Sequence, residues 1–258
     1  MSNPARKRKS LLRRGVIAPL VVLAILFVFF EIIARTTGIS EYILPAPSKI
    51  VSGIWEKFPV DIWPHFILTL QVILIGFAVA TALGMLLAAL ISQSGLVTRA
   101  ISPVIIWLVI TPLITLIPLL TLWLGYDPMQ RVYVVIIQAT PIICLNTLNG
   151  FTHVEHEKLE LARSVGATKM QTFVSIIFMN ALPQVFTGIK LGCIFSTIGA
   201  VSADFVSRGR GLGTRILTFM RYSNFEESYG CIILIAIIGI GLYTIVCQIE
   251  KRIVVWKK

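Results

Sequence analysis

The amino-acid sequence predicts an all-α, polytopic membrane protein with about six transmembrane helices. Of the 258 residues, 56% are hydrophobic and 14% are charged, whereas a soluble domain carries about 25% charged residues. The apolar residues form long runs, and a helix needs roughly 20 predominantly apolar residues to cross the hydrocarbon core. One charged, helix-prone segment, residues 150–171, interrupts these runs and has to lie outside the lipid.

The apolar runs define six candidate spans. The first follows a basic start, as a signal peptide would, but its apolar core exceeds the usual length of about 7–15 residues, so we favour an uncleaved span. The third contains Pro103, Pro112 and Pro118, which a membrane helix tolerates when neighbouring groups satisfy the freed carbonyls. In chain order the spans are 15–34, about 65–91, about 101–124, about 132–148, about 181–201 and about 229–249.

The formal net charge of +11 reflects membrane topology. In a soluble protein such a charge would suggest binding to nucleic acid. Here the basic residues cluster at the ends of spans, so we expect the lipid bilayer, and no nucleic acid, as a partner. The four cysteines fall inside apolar runs without a close pair, which is typical of small buried hydrophobic residues. They are Cys144, Cys193, Cys231 and Cys247.

The distribution of Lys and Arg sets the orientation. With the N-terminus inside, the cytoplasmic segments hold more basic residues than the outer ones, which predicts that both termini are cytoplasmic. The chain then divides into a basic cytoplasmic N-terminus at 1–14, a first transmembrane helix with an external segment at 15–64, and a transmembrane domain at 65–258. This orientation places residues 150–171 on the cytoplasmic side.

The cytoplasmic segment predicts two short helices separated by a bend. Acidic residues precede Lys158 and Arg163, which suits the helix dipole, and Leu159, Ala162 and Val165 form a narrow apolar stripe. Gly166 is expected to end the first helix in a left-handed conformation. Thr168 is expected to cap a second helix that runs through Phe173 and Ile176 towards the membrane. A solvated linker is the alternative for such a loop.

The residue order in this segment resembles the EAA loop of permeases of the ATP-binding-cassette (ABC) importers. That signature is E-A-A, three residues, G, nine residues and I-x-L-P; here it reads Glu160-Leu161-Ala162, Gly166 and Ile176, with Leu161 and Phe178-Met179 as departures. Further matching pieces lie between about residues 69 and 250, including 117–120, 146–150 and 211–213. Within the superfamily the sequence looks most like the taurine, nitrate and sulfonate branch, which includes bicarbonate and pyrimidine-precursor transporters.

The resemblance implies a type I importer (MetI-like) fold, with residues 150–178 as a coupling segment. It also implies a second permease copy, most simply a homodimer, two ABC ATPase subunits, an extracytoplasmic substrate-binding protein and a location in the bacterial cytoplasmic membrane.

The chain itself lacks a G-x-x-x-x-G-K-[ST] motif, so we expect it to be a transport subunit without catalytic residues, with ATP and Mg on the partner. We also expect no cofactor or metal, with His153 and His156 as surface residues. The residues assigned to ATPase coupling are Glu160, Leu161, Ala162, Arg163, Gly166 and Ala167.

Polar residues within the spans are candidates for the pore or its gates. Hydroxyl groups can donate hydrogen bonds to carbonyl groups of their own helix, so a single polar residue is weak evidence for a pore. Lys190 and Glu31 are ionisable residues near span ends, where snorkelling is the simpler account. The candidates are Thr111, Thr115, Gln138, Asn146, Ser196, Thr197 and Asp204, the last near an outer gate.

An ion-gradient-driven secondary transporter or channel is the main alternative. Such a protein usually carries acids or broken helices near mid-membrane and often internal repeats. The sequence has neither a central acid nor a clear repeat, and this class leaves the order of residues 160–166 unexplained. A non-transport membrane protein leaves it unexplained as well.

Overall fold

A computed structural model describes residues 21–125, 128–206 and 210–256. Within these ranges the chain forms helices joined by turns, with no β-strand, which confirms the all-α prediction. The predicted N-terminal segment 1–14 and the first residues of span one, 15–20, lie outside the described residues.

The helices follow one another with short connections. The described part of α1 covers residues 21–36, and the later boundaries agree with the predicted spans to within a few residues, except in the third span. The remaining helices are α2 (Pro47–Lys57), α3 (Trp63–Ile91), α4 (Gly95–Ile110), α5 (Ile117–Leu124), α6 (Pro128–Thr152), α7 (His156–Ser164), α8 (Lys169–Thr172), α9 (Met179–Val206), α10 (Leu212–Arg221) and α11 (Phe225–Ile253). Two π-helical stretches, Phe58–Ile62 and Phe173–Phe178, join α2 to α3 and α8 to α9.

Four continuous helical runs among the described residues are long and apolar enough to cross a membrane. They are Pro47–Ile91, Met129–Thr152, Lys169–Val206 and Phe225–Ile253. The apolar helix α4 has 16 residues and falls short of this length. Large apolar side chains on α1 and on one face of α11 are exposed, as expected of surfaces that face lipid.

The third predicted span, 101–124, is not one continuous helix. α4 ends at Ile110, Thr111 takes an extended conformation with ψ of 122°, and a 3₁₀ turn at Leu113–Thr115 precedes α5. Pro112 favours this break, because the ring of proline disfavours the helical conformation at the preceding residue, whereas Pro103 is accommodated within α4. The prediction that one continuous helix accommodates Pro112 is therefore wrong.

Helices α3, α6 and α9 form the centre of the bundle and meet at Ile143 of α6, which is fully buried. A Cβ atom on Gly84 of α3 would lie 2.9 Å from the Ile143 side chain, and one on Gly188 of α9 would lie 3.1 Å from its carbonyl oxygen. Small residues at such positions let helix backbones approach closely. This close packing fixes the relative positions of the polar residues on α6 and α9.

The segment between α1 and α3 packs against one end of the bundle. Glu31 of α1 accepts hydrogen bonds from the backbone N–H and the hydroxyl of Ser48, at 2.9 and 2.7 Å, and so caps the start of α2. α2 then packs against α11, where Ile54 touches Gly230. Asp61 forms an ion pair with Arg215 of α10. Glu31 therefore has a defined role in joining two helices and does not simply snorkel.

Candidate coupling site and outer polar network

The coupling segment begins with the regular helix α7. Its N-cap is Glu155, Glu157 lies in the first turn and Arg163 in the last. This charge order complements the helix dipole, which favours acids at the start and bases at the end. The predicted short helix is thus present, with its start at His156, and its cytoplasmic location stays a prediction.

Gly166 ends α7 in a Schellman motif. Its φ is +70°, its N–H donates to the carbonyl of Arg163 at 3.0 Å, and the N–H of Ala167 donates to the carbonyl of Ala162 at 3.0 Å. This pair of hydrogen bonds satisfies carbonyls that a helix end otherwise leaves unpaired, and the left-handed residue between them is usually glycine. The predicted bend at Gly166 is confirmed.

Thr168 starts the next helix through a reciprocal capping box. The N–H of Gln171 donates to the Thr168 hydroxyl at 3.3 Å, and the Thr168 N–H donates to the Gln171 side-chain oxygen at 2.8 Å. Because the π-helical stretch continues directly into α9, the chain is helical from Lys169 to Val206. The bend and the capping box therefore connect α7 to a spanning helix through only a few hydrogen-bonded residues.

The six residues that the sequence assigns to coupling do not share one face. Ala162 is buried within the chain, with 2% exposure, so its small side chain serves packing against the membrane domain. Glu160, Leu161, Arg163 and Gly166 are exposed, whereas Ala167 is half-buried. The expected apolar stripe is also only partly buried.

The exposed surface of the segment combines apolar and charged side chains. Leu161, Val165 and Met170 are each more than 60% exposed. Glu160 is also exposed, and its carboxylate is 3.2 Å from Nδ1 of His156. We call Glu160, Leu161, Val165 and Met170 the coupling surface.

At the end of the bundle far from α7, Asp204 lies inside a buried polar network. Its Oδ1 accepts from Nη1 of Arg131 at 3.2 Å, and its Oδ2 accepts from the hydroxyl of Thr69 and the N–H of Gly213, each at 3.2 Å. Asp204 is 2% exposed and Arg131 is 4% exposed. Arg131 and the backbone therefore enclose Asp204, and its assignment to an outer gate stays a prediction.

The same network holds residues 211–214 against α3. The N–H of Leu212 donates to the Thr69 hydroxyl at 2.9 Å, and the N–H of Gly211 donates to Nδ1 of His65 at 2.9 Å. A Cβ atom on Gly211 would lie 2.2 Å from the Asp204 carboxylate. Gly211 and Gly213 are thus required by close packing against Asp204.

The other pore candidates are only partly brought together. Thr111 and Gln138 border the same small cavity of about 40 Å³, which Leu113 and Phe195 also line. Thr115, Asn146 and Thr197 each donate to a backbone carbonyl within their own helix or turn, as predicted for isolated polar groups. Ser196 is fully buried, and its hydroxyl has no hydrogen-bond partner in the described part of the chain.

An ion pair joins two spanning helices at Lys190. Nζ of Lys190 lies 2.9 Å from Oε2 of Glu250 on α11, and both side chains are about four-fifths buried. The sequence predicted snorkelling for Lys190, and the structure instead gives it a carboxylate partner. Charges within spans usually pair in this way, because an isolated charge in the bilayer is costly.

Comparison with known proteins identifies the chain. Residues 80–254 match the family of binding-protein-dependent transport system inner membrane components. The chain belongs to this family. It is the permease subunit of an ABC importer and a multi-pass membrane protein, which decides against the secondary transporter or channel.

Curated relatives of this permease cover nearly its whole length. A formylaminopyrimidine transport permease protein, ThiX of Halalkalibacterium halodurans, is 29% identical over 93% of this chain and 96% of its own. A putative aliphatic sulfonates transport permease protein, SsuC of Bacillus subtilis, is 25% identical over 99% and 91%. The taurine transport system permease protein TauC of Escherichia coli is 23% identical over 95% and 91%.

A solved structure shares the fold. It is the crystal structure of an amino acid ABC transporter with histidines, which matches with a TM-score of 0.59 and 19% identity. The match covers 75% of this chain and 96% of that one. This likeness confirms the predicted type of fold.

Proposed function

We propose that this permease works as one of two identical copies, each driven by one ATPase subunit on the cytoplasmic side. ATP and Mg would bind to the ATPases, and an extracytoplasmic binding protein would deliver the substrate at the outer end. Both termini would lie in the cytoplasm. Membership in the family supports an assembly of permease, ATPase and substrate-binding protein. The number of copies of the permease and of the ATPase is part of the proposal.

The coupling surface carries this proposal. A contact that transmits force needs a rigid helix with exposed groups for docking, and α7 has a Schellman motif at its end and exposed apolar side chains at Leu161 and Val165. Burying those side chains in a partner groove would contribute roughly 1.5–3 kcal/mol each. Glu160 would orient the contact through a charge.

The helix Lys169–Val206 would carry the motion across the membrane. It starts three residues after the Gly166 bend and contains Asp204 near its other end. A displacement of α7 by the ATPase would therefore shift a single stiff element whose outer end is tied to α3 and α6 through Thr69 and Arg131. ATP-driven closure of the ATPases would use this element as a lever to open the outer end.

We propose a small polar nutrient as the substrate. Relatives named for formylaminopyrimidine, aliphatic sulfonates, taurine and nitrate transport support this substrate class. The branch that the sequence resembles also includes bicarbonate transporters, so bicarbonate is a further candidate. The test is a thermal-shift screen of the binding protein encoded beside the permease, using taurine, an alkanesulfonate, nitrate, bicarbonate and a formylaminopyrimidine. Stabilisation by one of these compounds would identify the class, and stabilisation only by an unrelated solute would contradict it.

The decisive experiment compares two glycine substitutions. Gly166→Val places a β-branched residue at φ +70°, and Gly38→Val does so at φ +65°; a Cβ at either position meets no atom within 4 Å. The strain is of order 1–3 kcal/mol in both variants, and only Gly166 lies in the coupling segment. We expect Gly166→Val to abolish uptake and ATPase coupling while the protein stays in the membrane, whereas Gly38→Val retains both. Equal activity of the two variants would overturn the proposed coupling site.

A further inference from the structure

A pocket with both charged and apolar walls lies between the coupling segment and the ends of the neighbouring spans. Its volume is about 400 Å³, which falls within the range of about 300–1,000 Å³ that is typical of small-molecule sites. Side chains from α3, α6, α7, α8 and the π-helical stretch after α8 line it. Five separate parts of the chain therefore enclose one space beside α7.

Two cations that line this pocket have no partner in the described part of the chain. Arg163 lies in the last turn of α7 and Lys169 begins α8, and neither side chain forms a hydrogen bond or an ion pair with a described residue. Glu160, the acid nearest to Arg163 in sequence, lies 3.2 Å from His156 instead. The described lining also contains no carboxylate. The positive charge of the pocket is thus left uncompensated, which favours an anionic ligand.

The apolar wall of the pocket belongs to two spanning helices. Phe151 and Phe173 form an edge-to-face pair with ring centroids 5.3 Å apart, and Ile177 lies about one turn beyond Phe173. Phe151 is the next-to-last residue of the run Met129–Thr152, and Phe173 lies near the start of the run Lys169–Val206. The two cations, in contrast, belong to the charged segment. The pocket therefore lies at the boundary where hydrocarbon gives way to polar headgroups.

The pocket lies on the side of α7 opposite to the coupling surface. Leu159 and Arg163 both line the pocket, and each is two positions from Leu161. Two positions correspond to about 200° around a helix with 3.6 residues per turn, so both side chains face away from Leu161. A protein that docks on the coupling surface therefore contacts the face of α7 that is turned away from the pocket, and the occupant of the pocket has another source.

We propose that this pocket binds the headgroup of an anionic phospholipid. The phosphodiester oxygens accept hydrogen bonds from Arg163 and Lys169, and the first methylene groups of the acyl chains pack on Phe151, Phe173 and Ile177. Basic pockets at the cytoplasmic ends of spans bind anionic headgroups in this way. The lipid supports α7 from the membrane side while the ATPase acts on the opposite face. This site deepens the proposed function and rests on it, because that proposal places α7 in the cytoplasm.

Lipid binding by the intact permease–ATPase complex tests this site. Phosphatidylglycerol is titrated into the purified complex against a background of phosphatidylcholine, and native mass spectrometry measures the bound lipid. Arg163→Gln and Lys169→Gln should each weaken binding of phosphatidylglycerol about fivefold, as expected for the loss of one cation near a membrane surface, and the double variant should weaken it further. The matched control is Lys251→Gln/Arg252→Gln, which removes two exposed cations at the end of α11 and should keep the native affinity.

A change of shape without a change of charge separates a pocket from general surface attraction. Ala167 lines the pocket and is half-buried, so Ala167→Leu fills part of the space and leaves both cations in place. We expect this variant to bind less phosphatidylglycerol than Ala100→Leu, which enlarges an exposed residue of α4. Equal binding by the two variants would mean that the cations attract lipid only at the surface, and the proposed site would be wrong.

The ATPase content of the same samples separates the other outcomes. If the double variant of Arg163 and Lys169 loses the ATPase and keeps its phosphatidylglycerol, the two cations bind acidic groups of the ATPase and the lipid site is wrong. If the unchanged complex keeps its ATPase but binds phosphatidylglycerol no better than phosphatidylcholine, the lipid site fails and the proposed function stands. If no ATPase accompanies the unchanged permease, the proposed function fails, and lipid binding by the permease alone still decides the site.

Discussion

Arg131 and Asp204 form an ion pair between α6 and α9, with Nη1 of Arg131 3.2 Å from Oδ1 of Asp204 and both side chains almost fully buried. The pair ties α6 and α9 to α3 and to the start of α10, because Asp204 also accepts from Thr69 on α3 and from the N–H of Gly213. Removing one partner of such a pair leaves an unpaired buried charge, which is more damaging than removing both.

We therefore expect Arg131→Met to destabilise the purified permease by about 3–5 kcal/mol. The double variant Arg131→Met/Asp204→Asn should recover much of this loss, since asparagine is uncharged and its side-chain oxygen can still accept from the N–H of Gly213. The measurement is a thermal unfolding curve of the two single variants, the double variant and the unchanged protein. Additive effects of the two substitutions would show that the pair is not coupled.

Helix packing at Gly76 gives a second prediction. A Cβ atom there would lie 2.5 Å from Cγ1 of Val135, which is fully buried, whereas one on Gly241 would meet nothing within 4 Å. Gly76→Ala should cost about 1–3 kcal/mol by overpacking, and Gly241→Ala should change stability by less than about 1 kcal/mol. Thermal unfolding checks both, and similar unfolding temperatures for the two variants would contradict the close approach of α3 and α6.

The sequence was sufficient to predict the helices and the coupling segment because their signals are local. Long apolar runs define α3, α6, α9 and α11, and the Gly166 bend and the Thr168 cap depend on residues within a few positions. The break at Pro112 is also local, and the preference of the residue before proline for extended backbone was the signal that could have identified it.

The network around Asp204 depends on pairings that local signals do not contain. Arg131 precedes the predicted fourth span, 132–148, yet it lies in α6, 73 positions before its partner Asp204. An aspartate near a span end needs a compensating cation, but the sequence offers several basic residues that could supply it.

The Thr168 cap gives a third prediction. Thr168→Val removes the hydroxyl that accepts from the Gln171 N–H, which should cost about 1 kcal/mol of local helix stability. We expect weaker coupling of ATPase activity to transport in this variant and full coupling in Thr168→Ser, which keeps the hydroxyl. Substrate-stimulated ATPase activity of the reconstituted transporter is the measurement. A serine variant as impaired as the valine variant would exclude capping as the cause.

The pair of Lys190 and Glu250 gives the last prediction and tests whether α9 and α11 are joined by charge. Nζ of Lys190 is within 3.1 Å of both carboxylate oxygens of Glu250, and the two residues are 60 positions apart. Lys190→Met leaves a largely buried carboxylate without its cation, so we expect a lower unfolding temperature than in Lys190→Met/Glu250→Gln, where no charge remains. The exchanged variant Lys190→Glu/Glu250→Lys preserves the attraction and should be more stable than Lys190→Glu, which places two carboxylates together. If the exchanged variant is no more stable than Lys190→Glu, the contact contributes nothing to the packing of α9 against α11.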